Sequence, residues 1–166
     1  MDTVLSSVQF DSVCADNELG GAMAAHYFLR GNSKRAAMML ALPSTHNSRA
    51  RYRGFAREMK LHGKECVVID CATKPGENST ANAYEAFRRY VKEHGLDFDG
   101  LFCDGDLGAL GVLKAANELN IAIPETLEII GFDNIAEGKF FHPALTSVDQ
   151  NIERWAEAVE EIITEY

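Results

Sequence analysis

Short apolar runs alternate along this chain with longer segments whose apolar residues recur at the spacing of an amphipathic helix. The apolar runs predict strands near residues 13–15, 36–42, 66–70, 100–103 and 127–132. Helices are predicted from about 17 to 30, from about 48 to the glycine at 63, up to the glycine at 95, from 106 to about 119 and from 151 to 165. Strands joined by helices of a dozen residues form right-handed crossovers. The pattern therefore predicts an α/β fold, a doubly wound and mostly parallel sheet flanked by helices.

The composition favours one principal domain that does not bind nucleic acid directly. A chain of 166 residues with 46% hydrophobic composition can bury one sizeable core. Its formal net charge of -9 opposes the phosphate backbone of DNA or RNA. The four cysteines fall in or beside apolar runs, where buried thiols are expected. Because no signal peptide and no apolar run approaching 18 residues is recognised, we expect the protein in the reducing cytoplasm.

A polar loop that begins at Ser44 leads into three arginines, Arg49, Arg51 and Arg53, near the start of a predicted helix. Their alternate spacing means that they cannot all face the core. Arg51 is the candidate ligand contact, because a planar guanidinium donates two hydrogen bonds to neighbouring hydroxyls or to a carboxylate. A solvated basic helix face is the alternative interpretation.

Three aspartates follow predicted strands, with Asp104 and Asp106 after one strand and Asp133 after another. The carboxyl ends of parallel strands meet at one edge of the sheet, where open sheets hold their ligands. Asp104 or Asp106 could instead cap the following helix, and for Asp106 capping is the favoured interpretation. Asp133 lies in a tight turn and is the stronger ligand candidate.

The predicted site combines a guanidinium, carboxylates and short polar groups, with His46 and Asn47 of the polar loop as further candidate contacts. A surface position is the alternative for His46. Hydroxyl groups both donate and accept hydrogen bonds, so this mixture suits a neutral polyhydroxylated ligand such as a sugar. Purines and small acids are also compatible with it.

Enzyme signatures are missing from the sequence. Glycines recur every third residue at 105, 108 and 111, which differs from the dinucleotide-binding pattern. No phosphate-binding loop, nucleophile elbow or zinc-binding helix motif occurs. We therefore expect no enzyme, no cofactor and no metal site, and a hydrolase or transferase on this sheet has no nucleophile and base to support it.

Five motifs, taken in order and with their spacing, resemble the lactose/galactose repressor (LacI/GalR) family of transcriptional regulators. They are ADN at 15–17 followed by GG at 20–21, RYRGF at 51–55, FCDGD at 102–106 followed by ALG at 109–111, IGFDN at 130–134, and PALT at 143–146. The resemblance covers roughly residues 13–166. It implies an N-terminal helix-turn-helix joined to a core of two α/β lobes around an effector cleft, similar to type I periplasmic sugar-binding proteins.

The same resemblance implies how the chain is divided. Residues 1–16 are similar to the tail of the N-terminal lobe and its crossover, 17–149 to the C-terminal lobe, and 150–166 to a helix of an incomplete N-terminal lobe. The DNA-reading head is expected outside this chain. The apolar stripe of the last helix, with Ile152, Trp155 and Val159, is then expected to pack on a neighbouring lobe or a symmetry mate.

The resemblance also implies site residues. Arg51 and Asp133 match positions that bind effector, and Asp16 matches a cleft residue at the first crossing between lobes. Gly105 stands where some relatives have a polar side chain, which leaves Asp104 and its turn an uncertain contact.

A further implication of the resemblance concerns assembly. Leu110, Phe140 and Phe141 are similar to the family's dimer surface, whereas a core position is the alternative for both aromatic residues. The expected function is an effector-sensing lobe in a homodimeric regulator, which binds DNA through its helix-turn-helix. The alternative is a periplasmic-type solute-binding protein of a sugar transporter.

Overall fold

The computed structural model describes residues 11–31 and 33–164. Helices and strands alternate through most of this range. In chain order they are α1 (Asn17–Arg30), β1 (Ala36–Leu40), α2 (His46–Leu61), β2 (Cys66–Asp70), α3 (Ser79–His94), β3 (Gly100–Cys103), α4 (Asp106–Glu118), β4 (Glu128–Phe132), a 3-10 helix (Ala136–Phe140), β5 (Thr146–Val148) and α5 (Ile152–Thr164).

All five strands run parallel in one sheet, in the order β2-β1-β3-β4-β5. The register aligns Ala36 of β1 with Cys66 and Gly100, and it aligns Ile130 of β4 with Thr146. The chain winds outward from β1 to β2 and then crosses over to β3. The topological switch point therefore lies between β1 and β3, where sheets of this order hold ligands.

Helices cover both faces of the sheet, as the run of apolar strands predicts. Helices α1 and α2 pack on one face around Phe28, Phe55 and Phe102, whereas α3 and α4 pack on the other around Phe87 and Leu101. Neighbouring residues of β3 thus enter different cores, because successive side chains of a strand point to opposite faces. The expected doubly wound fold is confirmed.

Helices α1 and α2 cross at backbone contact distance because glycines lie at the crossing. A Cβ atom on Gly21 would lie 2.0 Å from the carbonyl oxygen of Arg51, and one on Gly54 would lie 1.9 Å from that of Glu18. No larger residue fits at either glycine without moving the backbone of the other helix. The crossing consequently fixes where Arg51 enters the molecule.

Three local predictions differ from the structure. Residues 13–15 form irregular backbone rather than a strand, and they lead into Asp16, the N-cap of α1. The short edge strand β5 and the 3-10 helix before it were not predicted, since three residues of which two are polar give no clear apolar run. Cys71 and Cys103 are buried as expected, but Cys14 is exposed and Cys66 only half-buried.

Residues 1–10, 165 and 166, which the predicted N-terminal tail and last helix include, lie outside the described part of the chain. Helix α5 has no buried residue, and Ile152 and Val159 are exposed. Within the described ranges no helix combines the length and the apolar character needed to cross a membrane.

Candidate functional site

A cleft of about 690 Å³ opens at the carboxyl ends of β1 and β3, at the switch point of the sheet. It includes five of the six predicted ligand contacts. They are Arg51, Asp133, Asp104, His46 and Asn47. The rest of its wall comes from the loop after β1 and the start of α2, from the first residue of α3, from the start of α4, and from residues around the start of α5 that include Gln150, Ile152 and Trp155.

Arg51 is buried at the base of this cleft, with 7% of its surface exposed. Its Nε donates to the side-chain oxygen of Asn17 at 2.8 Å, and Nη1 donates to the main-chain carbonyl of Asp104. The guanidinium lies 3.6 Å from the centre of the Phe132 ring, a cation–π contact. These contacts hold the guanidinium in one orientation, so its direction is set by the protein and not by a ligand.

Asp133 meets Arg51 from the other side of the cleft. Its Oδ1 lies 3.5 Å from Nη2 of Arg51, and it accepts a hydrogen bond from the Gln150 amide. Burial raises the pKa of Asp133, and the Arg51 charge and the Gln150 hydrogen bond offset this only in part. About a third of the side chain remains exposed, so a ligand can reach the carboxylate.

Asp104 is buried in the wall of the cleft. It accepts from the backbone amides of Ala41 at 2.8 Å and Leu42 at 3.3 Å, and from the hydroxyl of Ser48. Burial raises the pKa of Asp104, while these donors and the Arg51 charge lower it less. The buried carboxylate of Asp104 therefore holds the backbone of the loop after β1 in place through hydrogen bonds.

The capping interpretation of Asp104 and Asp106 is wrong. The N-cap of α4 is Gly105, whose backbone is extended and which makes no side-chain cap bond. Asp106 is the first residue of the helix, is 1% exposed, and turns its carboxylate toward the ends of β4 and β5. Its Oδ2 accepts from the amide of Ile135 at 2.9 Å, and its Oδ1 from the hydroxyl of Ser147 at 2.7 Å.

The remaining predicted contacts differ in position. His46 is exposed at the first turn of α2 and Asn47 is half-buried beside it, and both border the cleft. Asp16 is the sixth predicted contact and is not among the residues that line it. Its carboxylate accepts from the amide of Leu19 at 2.9 Å, so it caps α1 and borders two neighbouring grooves.

Sequence reasoning missed three residues that organise the site. Gln150 follows the unpredicted strand β5, Phe132 was assigned only to a strand, and Asn17 only to the start of a helix. Trp155 was expected to pack on a neighbouring lobe or a symmetry mate, yet it is half-buried and lines the cleft. A buried side-chain amide or aromatic ring that contacts a charged side chain has no characteristic short sequence motif. Such residues are therefore not recognised from the sequence alone.

The residues of the predicted assembly surface, Leu110, Phe140 and Phe141, do not line the cleft. Phe140 is 87% exposed and Phe141 38% exposed, so neither aromatic residue is in the core. Leu110 is half-buried and, with Phe141, lines a separate cavity of about 810 Å³. The exposure of the two aromatic side chains leaves them available for a partner.

In residues 11–31 and 33–164, no group of three or more histidine, cysteine, aspartate or glutamate side chains is arranged to hold a metal ion. The polar groups of the cleft are instead a guanidinium, carboxylates, amides and hydroxyls. Such a set can hydrogen-bond a small polar molecule in several directions at once.

Known proteins are similar to this chain in fold and in sequence. The family profile of the periplasmic binding protein-like domain matches residues 25–165. The chain is 28% identical over 146 residues to the HTH-type transcriptional repressor PurR of Pectobacterium carotovorum subsp. carotovorum (strain PC1), covering 87% of this chain and 42% of the repressor. It therefore spans less than half the length of this curated relative.

Solved structures agree with this result. A LacI-family transcriptional regulatory protein from Corynebacterium glutamicum matches with a TM-score of 0.78 and 27% identity, over 90% of this chain and 55% of that one. A LacI-family regulator from Enterococcus faecalis V583, solved with bound ribose, shares the fold with a TM-score of 0.74 and 22% identity, over 91% and 52% of the two chains.

Proposed function

This chain belongs to the periplasmic binding protein-like domain family, in the form found in the effector-binding core of LacI-family regulators, and we propose that it senses an effector for such a regulator. The effector is a small polar metabolite, with a sugar as the first candidate. The observation that carries the proposal is the convergence of Arg51 and Asp133, 3.5 Å apart, at the switch point of the sheet.

The charges in the cleft favour a neutral ligand. The Arg51 guanidinium already faces the carboxylate of Asp133, and the side chain of Asp104 lies buried close by. A strongly anionic ligand would meet these two carboxyl groups, whereas hydroxyl groups can donate to Asp133 and accept from Arg51. A purine ring with polar edges fits the same donors and acceptors.

The proposal extends to the complete regulator. Residues 17–149 form the C-terminal lobe, and 1–16 and 150–166 belong to the crossovers and the second lobe. Effector that binds between the lobes favours their closed arrangement and so shifts the population of DNA-binding states. DNA contact belongs to a helix-turn-helix outside this chain, since the chain itself carries a net charge of -9.

Leu110, Phe140 and Phe141 supply a surface for homodimerisation in this proposal, and the protein works in the cytoplasm without catalysing a reaction. Asp104, His46 and Asn47 complete the wall of the effector site, and Asp16, which caps α1, lies at neighbouring grooves on the side of the first crossover. A transporter's solute-binding protein is less well supported, because the curated relative at 28% identity is a transcriptional repressor.

The test is isothermal titration calorimetry of a regulator that contains this chain together with its second lobe, titrated with D-ribose, D-galactose and adenine after a thermal-shift screen of the same compounds. We expect at least one to bind. Arg51→Ala should weaken that binding about 10- to 150-fold, because it removes charge-assisted hydrogen bonds. The matched control is Arg49→Ala, an exposed arginine on the same helix, which should bind as the unmodified regulator does.

Asp133→Asn serves as a second variant in case Arg51→Ala is poorly folded, and it should weaken binding by a similar factor. Unchanged affinity in a folded Arg51 or Asp133 variant would refute the site assignment.

A further inference from the structure

The turn that carries Asp133 has an unusual backbone. Asp133 has a φ of 108° and Asn134 a φ of 51°, so two consecutive residues other than glycine have positive φ angles. Such conformations cost free energy and persist only where surrounding contacts hold them. The contacts that hold this turn therefore determine where the Asp133 carboxylate lies.

The amide of Asp133 itself donates to the main-chain carbonyl of Val148 at 2.9 Å, and the next two amides lead to one buried carboxylate and one hydroxyl. Asp106 accepts from the Ile135 amide, directly after the turn, and from the Ser147 hydroxyl on β5. The Ser147 oxygen in turn accepts from the amide of Asn134 at 3.0 Å. Two successive amides of the turn are thus bound by Asp106, one directly and one through Ser147.

The fit around Asp106 is close. A Cβ atom on Gly131 would lie 2.0 Å from Oδ1 of Asp106, so the carboxylate reaches the turn only because β4 has glycine there. Burial raises the pKa of Asp106, with a smaller contribution from the nearby Asp133, while the Ser147 and Ile135 bonds lower it. Burying a carboxyl group costs free energy unless hydrogen bonds replace its lost solvation, so the bonds from Ser147 and Ile135 stabilise Asp106 in this interior position.

We propose that Asp106 and Ser147 are positioning residues for the effector site, which act by holding the Asp133 turn against Arg51. The inference rests on the proposed function for its biological meaning, but the positioning itself can be measured without a ligand. It assigns a recognition role to two side chains that are not among the residues expected to touch the effector.

A matched pair at the other end of the sheet provides the control. Ser33 donates its hydroxyl to Asp99, and Asp99 also accepts from the amides of Lys34 and Arg35. The chemistry equals that of Ser147 and Asp106, but this pair lies at the amino end of β3, away from the cleft. Ser33→Ala therefore removes a similar hydrogen bond without touching the turn.

The experiment compares Ser147→Ala, Ser147→Thr and Ser33→Ala by NMR, each checked for folding by circular dichroism. In Ser147→Ala, amide hydrogen exchange at Asn134 and Ile135 should rise about tenfold, because one bond of the turn is lost. Exchange of the Arg51 guanidinium protons should rise with it as Asp133 moves away. Ser147→Thr keeps the hydroxyl and should restore both, and Ser33→Ala should change neither.

Calorimetric titration of the two-lobe regulator with D-ribose, D-galactose and adenine then links the turn to recognition. Any of these that binds the unmodified regulator should bind Ser147→Ala at least about fivefold more weakly, with Ser147→Thr close to normal. Unchanged exchange at residues 134 and 135 and at Arg51 in Ser147→Ala would overturn the positioning role. If exchange responds as expected but none of the three compounds binds, the positioning stands and the proposed ligand class is what fails.

Discussion

Strand β3 has an aspartate at each end, and the two carboxylates have the same kinds of hydrogen-bond donors. Asp99 accepts from two backbone amides and Ser33, and Asp104 accepts from two backbone amides and Ser48. Burial raises the pKa of Asp99, but its hydrogen bonds outweigh this and the pKa lies below the ordinary value. For Asp104 burial dominates, and the pKa lies above that value.

Because the donors are alike, the difference in burial between the two carboxyl groups accounts for the opposite directions of their pKa shifts. Asp99 is half-buried, so water still solvates its charge, whereas Asp104 is 4% exposed. The amino end of the sheet uses its carboxylate to tie loops together. The carboxyl end keeps a poorly solvated carboxyl group beside Arg51, as functional sites commonly do.

The largest expected effect comes from deleting each carboxylate. Asp104→Ala should lower the free energy of unfolding by about 3 kcal/mol, because it leaves the buried amide of Ala41 and the buried hydroxyl of Ser48 without their acceptor. Asp99→Ala should cost about 1 to 2 kcal/mol, since water can replace the lost acceptor there. Urea unfolding measures both. Equal losses would mean that depth does not separate the two ends.

The pH dependence of stability should have opposite signs for the two carboxylates. The folded state favours protonated Asp104, so its contribution is greatest below the ordinary pKa of 3.8 and decreases as pH rises through the raised folded pKa. Asp99 contributes above 3.8, and its contribution is lost as pH falls through the lowered folded pKa. Unfolding of Asp104→Asn and Asp99→Asn across pH 3 to 8 checks this against the unmodified chain.

In that series, Asp104→Asn should gain stability relative to the unmodified chain as pH rises. The relative deficit of Asp99→Asn should grow as pH rises toward 3.8 and then level off. Parallel curves for the two variants would contradict the assignment of opposite pKa shifts.

The smallest expected effect comes from removing the charge of Arg35 at the amino end of the sheet. Arg35, at the amino end, is about half exposed and pairs with Asp97, so Arg35→Ala should cost about 0.5 kcal/mol or less and less still in 1 M salt. The variant should bind effector normally. A loss above about 1 kcal/mol, measured by urea unfolding, would show that the amino end depends on charge pairing more than a surface pair normally does.

The sequence was sufficient for four of the five strands of the sheet and for the central pair of the site. Strands 66–70 and 100–103 were predicted with the bounds that the structure has, because short apolar runs bounded by polar or turn-forming residues are typical of strands. Arg51 and Asp133 were predicted to converge because both lie at the carboxyl edge of parallel strands, and their distance of 3.5 Å confirms that they do. Whether they bind effector stays a prediction.

What could not be predicted depends on contacts between distant segments. Asp106 looks like a helix cap from its position, and its true partners are 29 and 41 residues away in the chain. Gln150 follows a three-residue edge strand that has no pattern of its own. Such side chains acquire their roles only when the β4 and β5 ends come together.

The glycine crossing of α1 and α2 has a consequence for protein engineering. Because Gly21 and Gly54 leave no space between the helices, a larger residue at either position cannot be used to move the backbone of Arg51 relative to the cleft. His46 borders the cleft from the first turn of α2 with an exposed side chain, which can be exchanged with little effect on packing. A biosensor with altered selectivity is therefore best sought by randomising position 46 while the two glycines are held constant.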